Sequence, residues 1–117
     1  FNKGGEFIYV GIAGIQKLPE KRSSISRMMS HRSGRRSGDQ FCVYVHDVFV
    51  IPEFVKKGTY APSRGLLDRL TKEYIQQNLS YRFCSFQTDD SIGIVRTLET
   101  QIKNGCCGRK PYLNGLD

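Results

Sequence analysis

Arg27, His31 and Glu99 are the side chains of this 117-residue sequence whose type and spacing suit chemistry on a phosphate. Arg27 and His31 stand four residues apart in SSISRMMSHRSG, so at about 100° per residue they share one side of a helix. A planar guanidinium there can clamp a phosphate through paired hydrogen bonds, and an imidazole one turn on can move a proton. Taken alone, the pair is also what a solvated polar helix face looks like. Glu99 is the sharper anomaly. On a helix from Ser91 to Asn104, Ile92, Val95, Leu98 and Ile102 fall within about 60° of one direction, and Glu99 lies inside that apolar stripe at about 40°. A carboxylate in such a place requires a cation, a metal or a full set of hydrogen bonds; otherwise it sits at the stripe's edge and reaches solvent or an arginine. His46 beside Asp47 reads as an element boundary or a satisfied core pair rather than a catalytic dyad.

The stretch Glu6 to Gly34 positions the first pair. Asn2-Lys3-Gly4-Gly5 predicts a tight hairpin turn, because adjacent glycines supply the positive φ angles such loops need. Phe1 would then end an earlier strand. Glu6 to Val10 follows as a strand that Gly11 to Gly14 interrupts, and Ser23 or Ser24 caps a short helix. That helix carries Ile25, Met28 and Met29 on the side opposite Arg27 and His31, and Gly34 suits its C′ position. A strand feeding a glycine turn and a cationic helix is a plausible phosphate cradle.

Downstream, Arg35 to Asp39 reads as an exposed polar connection. QFCVYVHDVFVIPEF is β-branched and aromatic enough for a strand, yet long and apolar enough for a buried helix, and Pro52 is expected to end either one. Lys56 to Pro62 reads as a loop, and Ser63 is placed to cap a helix from about Gly65 to Asn78. Ser80 to Thr88, SYRFCSFQT, predicts the clearest strand in the chain, interior because both of its faces are apolar. Asp89, Asp90 or Ser91 would cap the last helix, Gly105 would stop it, and Asn114 reads as a turn residue.

Length allows one domain, residues 1–117, with one modest core. Lys and Arg outnumber Asp and Glu by 18 to 11. Seven of the basic residues lie between Lys17 and Arg36 (Lys17, Lys21, Arg22, Arg27, Arg32, Arg35, Arg36) against the single acid Glu20. A local cationic field of that kind suits a polyanion such as DNA, and it also suits a solvated basic surface. Cys42, Cys84, Cys106 and Cys107 have neither zinc-site spacing nor disulfide-scaffold density, so reduced thiols are expected. With no membrane-spanning run and no signal peptide, the expectation is an intracellular, cytoplasmic protein without a membrane partner. Phe1 opens the chain in mid-pattern and without a Met, so native sequence ahead of it is expected.

Tyr9-Val10-Gly11, Arg27 with His31, Glu99 in RTLETQI and Asn114 in KPYLN occur in this order along the whole chain. Together they resemble the GIY-YIG nuclease family. Tyr9-Val10-Gly11 is similar to the second half of the name motif with Val for Ile, Arg27 to the helix arginine, and His31 to a position some restriction-type members use. Glu99 matches the metal-binding glutamate and Asn114 the terminal asparagine. The resemblance implies an α+β fold, a small three-stranded antiparallel sheet flanked by helices with SYRFCSFQT as its third strand. It leaves no required place for a strand at residues 40–51, which favours a helix there. It also implies a DNA endonuclease using Mg²⁺ or Mn²⁺ held by Glu99. In that reading Arg27 clamps the phosphate, and Tyr9 orients or deprotonates water with phenolate stabilised by Arg27 or the metal. His31 assists, Asn114 positions Glu99, and Lys17, Lys21, Arg22, Arg35 and Arg36 contact the DNA backbone. The first half of the name motif, whose tyrosine is a proposed general base in the family, would lie ahead of Phe1. Either that strand is missing or the first strand is truncated and the fragment is not competent as it stands. The competing expectations are a catalytically incomplete nucleic-acid-binding module and a plain interaction domain.

Overall fold

The computed structural model describes residues 1–13, 24–58, 63–106 and 108–115. Its architecture is α+β: a small antiparallel sheet and several helices around one cluster of buried side chains. Strands β1 (Asn2–Lys3) and β2 (Glu6–Phe7) form the expected hairpin, pairing Asn2 with Phe7 and Lys3 with Glu6. Gly4 at φ 54° and Gly5 at φ 83° take the two left-handed positions of a tight turn, where a side chain would be strained. Pairing continues one step past β2. The Phe1 carbonyl accepts from Ile8 N at 2.9 Å and Tyr9 N at 3.4 Å, so two residues oppose one, as in a bulge. The far edge of β2 is closed by the C-terminal segment, whose Leu113 N donates to the Ile8 carbonyl at 2.7 Å.

Helix α1 (Ser24–Arg32) turns the side that carries Arg27 and His31 towards the protein, against the alternative of a solvated polar face. Ile25 and Met29 are 73% and 67% exposed, whereas His31 is buried at 5%. Its polar side faces the protein because the ligands for that side, Asp39 and the Tyr9 phenol, are there. Gly34 ends the helix as expected, at φ 69°, and a Cβ on it would run into the backbone at Asp68 and Lys72.

Residues 40–57 are helical throughout: α2 (Gln40–Val45), a π-helical turn (His46–Val50) and α3 (Ile51–Lys57). The buried side chains Phe41, Cys42, Val45, His46 and Val50 follow a helical spacing, so burial overrides the local β propensity. Asp39 caps α2 by accepting from Cys42 N. Pro52 does not end the run. It lies in the first turn of α3, where its missing N–H is tolerated, directly after the wider π turn. The helix instead ends at Gly58, φ 66°, so Lys56 and Lys57 are helical rather than loop. Packed against this run is α4 (Leu66–Asn78), whose cap is Gly65 at φ 71° and not the expected Ser63 side chain.

The largest departure is at SYRFCSFQT. Only β3 (Leu79–Ser80) is a strand, and it lies at the sheet's edge, in the order β2-β1-β3. It pairs Leu79 with Lys3 and Ser80 with Asn2, so the same register sets Tyr81 opposite Phe1. Beyond that point no described residue supplies a ladder partner. Residues 81–87 take no regular structure, and every residue from 80 to 90 is exposed. Helix α5 (Ser91–Lys103) has the expected bounds but no buried residue, with Ile92 at 49% and Leu98 at 37% exposure. Its apolar stripe therefore does not enter the core formed by Ile8, Phe41, Cys42, Val45, Val50, Ile75 and Leu113. No helix among the described residues is long and apolar enough to cross a membrane.

Candidate functional site

A cleft of about 330 Å³ opens between the end of β2, α1 and the start of α2, lined by Tyr9, Ser26, Arg27, Ser30, His31, Gly38, Asp39, Gln40 and Phe41. The bulge after β2 delivers Tyr9, the inward face of α1 delivers Arg27 and His31, and the cap of α2 delivers Asp39. Phe41 supports the floor. Its ring lies 4.9 Å from both Tyr9 and His31 and stacks on Phe1 at 4.2 Å.

His31 Nδ1 lies 2.8 and 3.0 Å from the two carboxylate oxygens of Asp39. Asp39 also accepts from Ser30 Oγ at 2.9 Å and Cys42 N at 3.3 Å. Burial by itself would raise the Asp39 carboxyl, but the hydrogen bond and charge of His31, with the Ser30 and Cys42 donors, hold it below its ordinary value. An ionised carboxylate against Nδ1 keeps the neutral ring's proton on that nitrogen and leaves the lone pair on Nε2. Tyr9 shifts the other way. Burial raises its phenol above the ordinary 10, outweighing the charge of and hydrogen bond with Arg27. Arg27 by itself therefore does not bring the phenol below its ordinary value. Arg27 Nε is buried with no acceptor among the described residues, an open donor beside Tyr9 and His31.

Glu99 is not among the cleft's lining residues. Its side chain is 17% exposed and pairs with Lys103 Nζ at 3.0 Å, one turn along α5. The anomaly in the apolar stripe thus has an intrahelical cation as its partner. The Lys103 charge also acts on Tyr9, so the end of α5 lies within electrostatic reach of the cleft. Among the described residues no three His, Cys, Asp or Glu side chains group as a metal site. The hydrogen bonds of Asn114 go to Val10. Asn114 clamps Val10 on both sides, accepting from Val10 N at 2.7 Å and donating to its carbonyl at 3.0 Å across 104 residues. Its part is to hold the strand that carries Tyr9.

Of the expected DNA contacts, Lys17, Lys21 and Arg22 lie outside the described residues, as do Gly14 and Ser23. Arg35 is exposed. Arg36 is committed to Asp68, Nε to Oδ1 2.6 Å, and ties the loop after α1 to α4. His46 stands at an element boundary, where α2 passes into the π-helical turn; it is buried but its partner Asp47 is exposed (Nδ1 to Oδ1 2.6 Å), and its Nε2 is unpartnered among the described residues, so the expected satisfied core pair is not formed. Sequence reasoning missed Asp39, placed in a polar connection. An Asp directly before an apolar helical run was a usable cap signal, but nothing local joined it to His31. No family model, no curated protein and no solved structure matches this chain.

Proposed function

We propose that the chain is a metal-dependent endonuclease of the GIY-YIG type that hydrolyses DNA phosphodiester bonds. One observation carries this reading: an unsatisfied, permanently charged Arg27 donor stands beside Tyr9 and the Asp39-held His31 in one cleft. Arg27 binds the phosphate and meets the charge that develops on it. Tyr9, protonated, donates a hydrogen bond that orients phosphate or water, and His31 accepts the water's proton. Glu99 would hold Mg²⁺ or Mn²⁺. A single carboxylate fits an ion that draws its other ligands from substrate phosphate and water, and the Lys103 ammonium that pairs with Glu99 would have to give way to it. The ion would supply charge stabilisation at the phosphate and the leaving oxygen. Exposed Arg35 is free to add backbone contacts that position DNA without reading its sequence.

Glu99→Gln is expected to abolish Mg²⁺-dependent plasmid nicking while DNA affinity in a gel-shift titration changes less than about twofold. Undiminished nicking rejects the assignment. A second reading, a nucleic-acid-binding module with an incomplete catalytic set, is favoured by the position of Glu99 outside the cleft lining and its pairing with Lys103. Salt-dependent DNA binding without any Mg²⁺-dependent cleavage would select it.

A further inference from the structure

The cleft holds one side chain suited to take a proton from water at neutral pH. The Arg27 guanidinium has no lone pair to offer, burial raises the Tyr9 phenol above its ordinary 10, and the Asp39 carboxylate is already taken up by His31, Ser30 and Cys42 N. That leaves the imidazole of His31, whose usefulness depends on which nitrogen carries the lone pair. The carboxylate of Asp39 is only 7% exposed and is fixed by two further donors, the Ser30 hydroxyl and Cys42 N. A cap alone would need one oxygen on the helix N–H. Here both oxygens also face His31 Nδ1, at 3.0 and 2.8 Å.

We propose that Asp39 is a positioning residue for His31, holding the ring's proton on Nδ1 so that Nε2 takes the proton of the water attacking a phosphodiester in the cleft. The proposal rests on the hydrolase reading and deepens it. In the step, the water oxygen bonds to phosphorus as the bond to the leaving oxygen breaks. The water's proton passes to Nε2 and on to solvent, and the leaving oxygen takes a proton from solvent.

Asp39→Asn tests this without removing the cap, since Asn caps as well as Asp. Nitrogen-15 spectra of the metal-free protein, at a pH where the ring is neutral, should show His31 protonated on Nδ1 in the native chain and shifted towards the Nε2–H form in the variant. With Mg²⁺ present, kcat for oligonucleotide cleavage should fall on the order of 10²-fold in the variant with KM little changed. In a His31→Ala background the same substitution should change kcat less than about twofold, which separates positioning of His31 from a general loss of fold. A native Nε2–H tautomer, or an unchanged kcat in D39N, overturns the proposal. A native chain with the Nδ1–H tautomer that cleaves no DNA overturns the hydrolase reading, and with it the catalytic role of Asp39, while its hold on the ring stands.

Discussion

Two aromatic-rich regions of this molecule have opposite fates. Phe1, Tyr9, His31 and Phe41 interlock around the cleft, with Phe41 fully buried. Tyr81, Phe83 and Phe86 follow β3 with no less apolar surface, yet they are 50%, 77% and 39% exposed. The difference is backbone pairing. Around the cleft, the backbone that carries Phe1 and Tyr9 is satisfied on both sides: Phe1 pairs with Ile8 and Tyr9, Leu113 N donates to the Ile8 carbonyl, and the Asn114 side chain clamps Val10. Residues 81–87 have no ladder partner among the described residues; only Tyr81, at the end of the pairing, brings its ring to 5.9 Å from Phe1, and Phe83 and Phe86 stay exposed. Burying a ring requires first that its backbone be satisfied.

The thiols give the largest expected contrast between the regions. Cys42, in α2, is buried and its thiol is pushed up to about 12, chiefly by burial and then by the Asp39 charge. Cys84 is exposed. Per-site labelling near pH 8 should find Cys42 slower than Cys84 by at least about 10³-fold, and comparable rates would show that the two regions are not distinct. Truncation should separate them next. Phe41→Ala is expected to cost about 3–5 kcal/mol in urea unfolding, whereas Phe83→Ala should stay within about 0.5 kcal/mol. A matching loss at Phe83 would place that ring in a core. Asn114→Ala removes both clamps on Val10 and should cost about 1–3 kcal/mol, measured the same way.

Acid is the mildest probe. Asp39 is held below its ordinary 3.8, so its contribution is fully present above that value and is lost as pH falls through the lower folded-state value. The fall in melting temperature below about pH 4 should therefore be shallower in Asp39→Asn than in the native chain. Parallel curves would show that the carboxylate is not stabilised by His31, Ser30 and Cys42.

Much of the local pattern was legible before any coordinates. The glycine pair at Gly4-Gly5, the bounds of α4 and α5, and the stops at Gly34 and Gly105 follow from backbone rules that act over a few residues. The conjunction of Arg27 and His31 was legible too, because four-residue spacing places two side chains together wherever a helix forms. The direction of that face was not. Spacing left open whether the pair met a site or solvent, and the partner that draws it inward, Asp39, lies beyond the helix and needed the chain to fold back.

By itself, then, the sequence determined short-range matters: glycine turns and helix stops, the lengths of α4 and α5, and the identity of the groups able to do chemistry. Tertiary structure alone decided which of them meet. It set Tyr9, Arg27, His31 and Asp39 around one cleft, bound Asn114 to Val10 and Glu99 to Lys103, and left SYRFCSFQT without a ladder partner among the described residues along most of its length. The physical reason is range. Propensities and caps are settled within a turn of helix or a hairpin, whereas pairing, burial and the partners of buried charges depend on segments up to 104 residues apart.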